Sequence, residues 1–189
     1  MKQKRTVLLL ILVLVLLLAG ASFLYAKLSK DTAPEQMTVI EQPEETTQPD
    51  IPPAPDFTVY DMDGNEVHLY DFVGTPLVVN FWASWCGPCQ REMPDFQEKF
   101  LELDGQVQFL MINMTDGSRE TVETASAFIA EKGYTFPVFY DTDFDAAITY
   151  GAYSLPMTFF IDAQGYAVTY VSGAISGDTL QKCIDMIVP

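Results

Sequence analysis

The chain has 189 residues, 49% of them hydrophobic, with 26 Asp and Glu against 10 Lys and Arg and a formal net charge of −16. Every acidic residue lies at or beyond Asp31, where only Arg91, Lys99, Arg119, Lys132 and Lys182 oppose them, so five cations face 26 acids, a formal −21. A surface of that sign repels nucleic acid and anionic lipid headgroups; it would attract a basic partner, but solubility alone accounts for it and is the favoured reading.

Residues 7–26 are apolar apart from Ser22. About twenty such residues span a bilayer as one helix. Lys2, Lys4 and Arg5 precede them, which places residues 1–6 on the cytoplasmic side of a single-pass anchor. The competing reading is a cleaved signal peptide, with Val7 to Leu18 as its apolar region and Ala19-Gly20-Ala21 as the cleavage site. Continuation through Phe23-Leu24-Tyr25 favours a retained anchor, and no Cys follows Ala21 closely enough to carry a lipid. Either reading puts the remainder outside the cytoplasm. Residues 27–55 include Glu41-Gln42-Pro43-Glu44-Glu45-Thr46-Thr47-Gln48-Pro49 and read as an extended, mobile linker. Residues 56–189, about 134, suit one domain with a sizeable core.

Within that domain Asp61-Met62-Asp63-Gly64-Asn65-Glu66-Val67-His68-Leu69 predicts two short strands around an Asp-Gly turn. Leu77-Val78-Val79-Asn80-Phe81-Trp82 predicts a strand, and a helix follows to about Asp104. By itself Pro94 reads as a break in that helix. Val107 to Asn113 reads as a buried central strand. Ser118 to Lys132 reads as a helix, with Ser118 as N-cap and Gly133 as stop signal. A short helix is expected over Phe144 to Tyr150. Met157 to Ile161 and Tyr166 to Val171 predict a hairpin, and a helix closes the chain from about Asp178 to Val188. Cys183 shares helical spacing with Leu180, Ile184 and Ile187 there and reads as a buried small apolar side chain. The order is that of an α/β domain with a mixed central sheet flanked by helices.

Trp85-Cys86-Gly87-Pro88-Cys89 is the motif that carries chemistry. It sets two thiols at a strand-to-helix junction, the local design for reversible dithiol–disulfide exchange. The first thiol falls where helix N–H groups are unpaired and the macrodipole favours a thiolate. Cys86 is therefore the expected nucleophile and Cys89 the resolving thiol. A zinc site is the first rival, but it wants four ligands in close pairs, and only Cys183 and His68 remain, both isolated. No metal is expected. A purely structural disulfide is the second rival. So short a loop removes little unfolded-state entropy, which argues for chemistry over stapling. A peroxidatic centre is the third. Its Pro-x-x-x-Thr/Ser-x-x-Cys signature is missing, with Val79 and Ala83 at the required positions.

Phe81-Trp82-Ala83-Ser84-Trp85-Cys86-Gly87-Pro88-Cys89 resembles the active-site region of the thioredoxin superfamily. More narrowly, the chain resembles the TlpA/ResA-like group of membrane-tethered disulfide reductases over roughly residues 55–188. The resemblance implies a thioredoxin-like fold with an N-terminal hairpin and an inserted segment that takes in Pro137-Val138-Phe139-Tyr140. It implies that Pro94 kinks the active-site helix without ending it. In Leu155-Pro156-Met157-Thr158-Phe159 it implies a cis Pro156 opposite the dithiol, with Leu155 facing the substrate. Glu92 matches a Glu of the ResA-like members that tunes the thiols or relays a proton. Asn80 stands where thioredoxin has an ionisable Asp, and this departure also fits the TlpA/ResA pattern.

Trp85, Gly87, Pro88, Leu155 and Pro156 would then form the substrate groove. The implied activity is extracytoplasmic reduction of protein disulfides, with apocytochrome c among the family's substrates. The implied electron donor is a membrane thiol carrier of the CcdA/DsbD type. No cofactor is implied beyond the Cys86–Cys89 pair. An oxidase of secreted proteins on the same fold, and a non-enzymatic binding domain with a structural disulfide, are the alternatives.

Overall fold

A computed structural model describes residues 36–39 and 52–188. The expected anchor, and all but a few residues of the expected linker, lie outside them. Among the described residues no helix is long and apolar enough to cross a membrane.

Eight strands form one sheet: β1 (Gln36–Val39), β2 (Thr58–Tyr60), β3 (Glu66–His68), β4 (Leu77–Trp82), β5 (Gln108–Asn113), β6 (Val138–Tyr140), β7 (Met157–Ile161) and β8 (Ala167–Ser172). Their order across the sheet is β1-β8-β7-β4-β5-β6-β2-β3. β4, β5 and β6 run parallel, and every other pairing is antiparallel. The helices are α1 (Gly87–Leu103), α2 (Val122–Lys132), α3 (Asp145–Tyr150) and α4 (Gly177–Ile187). A 3-10 turn, Leu69–Phe72, follows β3. This is the thioredoxin-like α/β arrangement.

β4 is central because all six of its residues are buried, the pattern of a strand covered on both faces. Val78 and Trp82 join one core with Met93 and Phe96 of α1, Phe109 and Met111 of β5, and Leu180 and Ile184 of α4. Leu77, Val79 and Phe81 join the other core with Phe57, Leu69, Leu110, Ile112 and the Ala146-Ala147 pair of α3. The twofold alternation of the strand thus divides its side chains between two layers.

α1 runs unbroken past Pro94. A proline removes one backbone hydrogen bond, and here Met93 and Phe96, buried on either side of it, hold the helix to the sheet. In α4 the stripe of Leu180, Cys183, Ile184 and Ile187 is buried, as the spacing predicts.

One expectation is corrected. The helix after β5 begins at Val122, not Ser118, and its N-cap is Thr121, whose hydroxyl accepts the Thr124 N–H at 3.2 Å. Residues 118–120 stay in a loop because Asp116 Oδ1 captures the N–H groups of Ser118, Arg119 and Glu120 at 2.7–2.9 Å. The sheet also takes in four residues from within the span 27–55. Gln36–Val39 pairs with β8, and a sheet edge with unpaired N–H and C=O groups is a template for such a strand. Ala54 is likewise buried and donates its N–H to Gly165 O at 2.8 Å.

Candidate active site

Because β4, β5 and β6 are parallel, their C-terminal ends reach the same edge of the sheet, the place where α/β folds assemble sites. β4 delivers the turn that leads to Cys86. β5 delivers the loop 114–120. β6 leads to Phe144 and α3. Together with the segment 152–155 they enclose a cleft of about 790 Å³ lined by Trp85, Cys86, Gly87, Pro88, Arg119 and Leu155, among others.

Cys86 is the N-cap of α1, with extended backbone, and its sulfur accepts the Cys89 N–H at 3.3 Å. Gly87 and Pro88 occupy the first helical turn, where a proline's missing N–H costs nothing. Cys86 and Cys89 are joined in a disulfide with their Cα atoms 5.3 Å apart. Cys86 borders the cleft and retains 4% exposure, whereas Cys89 is fully buried and does not line it. The helix start therefore presents one sulfur to a visitor and hides the other.

Trp85 is 42% exposed, and the Arg119 guanidinium lies 3.7 Å above its ring centroid. Ile148 and Tyr153, 64% and 83% exposed, continue the apolar rim on the far side. The Leu155–Pro156 bond is cis. Leu155 reaches the cleft, while Pro156 is buried just behind it.

Glu92 lies one turn beyond Cys89 and is almost fully buried. Spacing alone allows a solvent-facing helix residue there. In the fold its carboxylate accepts Asn80 Nδ2 at 2.9 Å and the Ile175 N–H at 2.9 Å. Asn80 also donates to Thr158 Oγ1, while its own Oδ1 has no protein partner. A buried carboxylate, amide and hydroxyl thus line up on the α1 face of the sheet, beneath the dithiol helix.

Sequence reasoning missed the loop after β5. Glu120 is completely buried, and its carboxylate accepts the Ser84 N–H at 2.7 Å, the Ser84 hydroxyl at 2.6 Å and Asn113 Nδ2 at 2.6 Å. It ties the loop to the turn just before the dithiol. Asp116 is held below the usual carboxylate range, chiefly by the Glu120 and Ser118 N–H groups, with Arg119 adding to them. The signal available was the Asp116-Gly117 pair directly after a buried strand, which marks a loop at a carboxyl end. Nothing in the residue order announces that Glu120 turns inward.

The family model described as the AhpC/TSA family matches residues 52–170. The thiol-disulfide oxidoreductases ResA of Geobacillus thermodenitrificans (strain NG80-2) and Bacillus subtilis (strain 168) are 33% and 31% identical to this chain over 137 residues. Those matches cover 72% of this chain and 76% and 74% of the two proteins. The pneumococcal exposed lipoprotein thioredoxin Etrx1 from Streptococcus pneumoniae strain TIGR4 superposes with a TM-score of 0.59 at 29% identity, over 69% of this chain and 98% of that one. The positions that a peroxidatic signature requires are filled by Val79 and Ala83, both fully buried. Matched family model, ResA relatives and paired sulfurs agree: the chain belongs to the AhpC/TSA family, in its ResA-like group of thioredoxin-fold thiol–disulfide oxidoreductases.

Proposed function

We propose that the protein works outside the cytoplasm as a reductase of protein disulfides. The unequal exposure of its two sulfurs carries this reading. The reduced Cys86 thiolate, favoured by unpaired N–H groups at the helix start, attacks one sulfur of a substrate disulfide. A mixed disulfide forms, and the other substrate sulfur leaves as a thiolate and takes a proton from water. Cys89, as thiolate, attacks the Cys86 sulfur. The second substrate thiolate departs and is protonated, the substrate has gained two electrons, and Cys86–Cys89 is left oxidised.

Trp85, Gly87, Pro88, Leu155 and Pro156 shape the groove for the substrate chain. Glu92 relays the proton of Cys89 or tunes the pair from below. The dithiol is the only redox group in the cycle, with no metal. Residues 7–26 anchor the chain in the cytoplasmic membrane with residues 1–6 inside. A membrane thiol carrier of the CcdA/DsbD type supplies the electrons. Apocytochrome c, whose haem-attachment cysteines must be reduced, is the proposed substrate.

The deciding measurement is the reduction potential of the Cys86–Cys89 pair, by equilibrating the full chain in detergent with dithiol buffers. A value toward the thioredoxin end, roughly −270 mV, is expected. A value toward the DsbA end, roughly −120 mV, would make the protein an oxidant of secreted thiols instead. The same preparation tests Glu92. Its replacement by Gln is expected to shift the pH profile of thiol alkylation, and an unchanged profile removes Glu92 from the mechanism.

A further inference from the structure

The two arginines of the described residues are both at the dithiol. Of the five cations beyond residue 30, Lys99 and Lys132 are paired with Glu102 and Glu131. Arg91 and Arg119 make no ion pair among the described residues. Arg119 caps the exposed Trp85 ring on the wall of the cleft. Arg91, exposed on α1, brings its Nη1 to 3.8 Å from where a side chain at Gly87 would begin. Among the described residues, these two guanidinium groups are the cations set against Trp85 and Gly87, the sequence neighbours of Cys86.

Arg119 is also held in place. Its loop is pinned by Asp116 through three backbone N–H groups and by Glu120 through Ser84 and Asn113. Asp116 lines the cleft too and is close enough for Arg119 to stabilise its charge, but the two form no ion pair, and three backbone N–H groups hold its Oδ1. A guanidinium stacked on an indole keeps its edge donors available for a carboxylate.

We propose that Arg119, assisted by Arg91, is the specificity-determining residue of the site: it selects disulfides in extended protein segments that carry Asp or Glu close to the reacting cysteine, with an apolar neighbour filling the Trp85–Ile148–Tyr153 cleft. The inference rests on the reductase reading. The global charge of the domain opposes an acidic partner, but it acts at long range. At physiological salt the screening length is about 8 Å, so distant carboxylates are damped while a contact pair is not.

The test uses two peptides with one internal disulfide each, alike except that Asp flanks the cysteine in one and Lys in the other. Dithiothreitol supplies the electrons, and the full chain in detergent at 150 mM salt is the enzyme. The readout is the ratio of kcat/KM for the acidic peptide to that for the basic one, with hydroxyethyl disulfide as an uncharged reference. A ratio of roughly ten is expected, from attraction to one peptide and repulsion of the other. Arg119→Gln should bring it near one, Arg119→Glu should invert it, and Arg119→Lys should restore most of it. A wild-type ratio near one overturns the proposal. So does a ratio that Arg119→Gln leaves unchanged, or an equal loss for both peptides, which marks Arg119 as a packing residue. If wild type reduces none of the three disulfides, the reductase reading fails, and the selectivity falls with it.

Discussion

Glu120 shows how one side chain sets the geometry of a site that it does not line. Its carboxylate receives one bond from the backbone of Ser84, one from the Ser84 hydroxyl and one from the Asn113 amide. All three donors face a position closed to water. Replacing Glu120 by Ala leaves them without a partner, and an unsatisfied buried donor costs about 1–3 kcal/mol. Glu120→Ala is therefore expected to lose about 2–4 kcal/mol in urea unfolding and to loosen the Trp85–Arg119 stack, read as a change in tryptophan fluorescence. Stability within about 0.5 kcal/mol of wild type would show that the loop is held by other contacts. Glu92 and Asn80 make the complementary point. The first is a buried carboxyl bound by an amide, and the second is that amide, which cannot ionise, so the pair holds a single ionisable group in this layer of the core.

At the scale of elements, α3 forms the wall opposite Trp85 with only six residues. A helix so short is marginal by itself and depends on its packing and its start. Asp141 supplies that start. Its two oxygens accept the N–H groups of Ala146 and Ala147 at 3.2 and 2.8 Å, and the side chain is fully buried. Burial pushes its carboxyl above the usual range, while those N–H bonds pull the other way. A raised value in the folded state means that the folded chain holds this proton more tightly than the unfolded chain does. The stability that the group contributes is then fully present below about pH 3.9, its ordinary value, and is lost as pH rises through the folded value. Asp141→Asn removes the titration. Subtracting its urea midpoints from those of wild type between pH 3 and 7 should leave a difference that falls with pH. A flat difference would mean that the N–H bonds cancel the burial.

At the scale of the molecule, charge and core act in opposite directions. A formal −21 beyond residue 30 repels itself and lowers the stability of the compact state. Raising salt from about 10 to 200 mM shortens the screening length from about 30 to about 7 Å. The thermal midpoint is expected to rise over that range, because the ion pairs among the described residues, which salt weakens, are few and partly exposed. A falling midpoint would show that local pairs outweigh the general repulsion.

Much of this protein was legible in residue order because local chemistry decides it. The run from Leu77 to Trp82, apolar but for Asn80 and rich in β-branched and aromatic residues, reads as a covered strand. The Cys86-Gly87-Pro88-Cys89 spacing puts both sulfurs on the first turn of a helix, and the resemblance of that stretch to thioredoxins carried the fold with it. The stripe of α4 buries Cys183 by periodicity alone. What only the tertiary structure decided were the contacts between segments distant in sequence. Ser118 has the chemistry of an N-cap, yet Asp116 draws residues 118–120 into a loop and Thr121 begins the helix. Glu92 has the spacing of a surface residue, yet Asn80 from β4 and Ile175 from before α4 enclose it. Arg119 meets Trp85 only because β4 and β5 run parallel and end at one edge. A side chain's own preferences act over a few residues, whereas its burial and partners depend on which strands the sheet sets side by side.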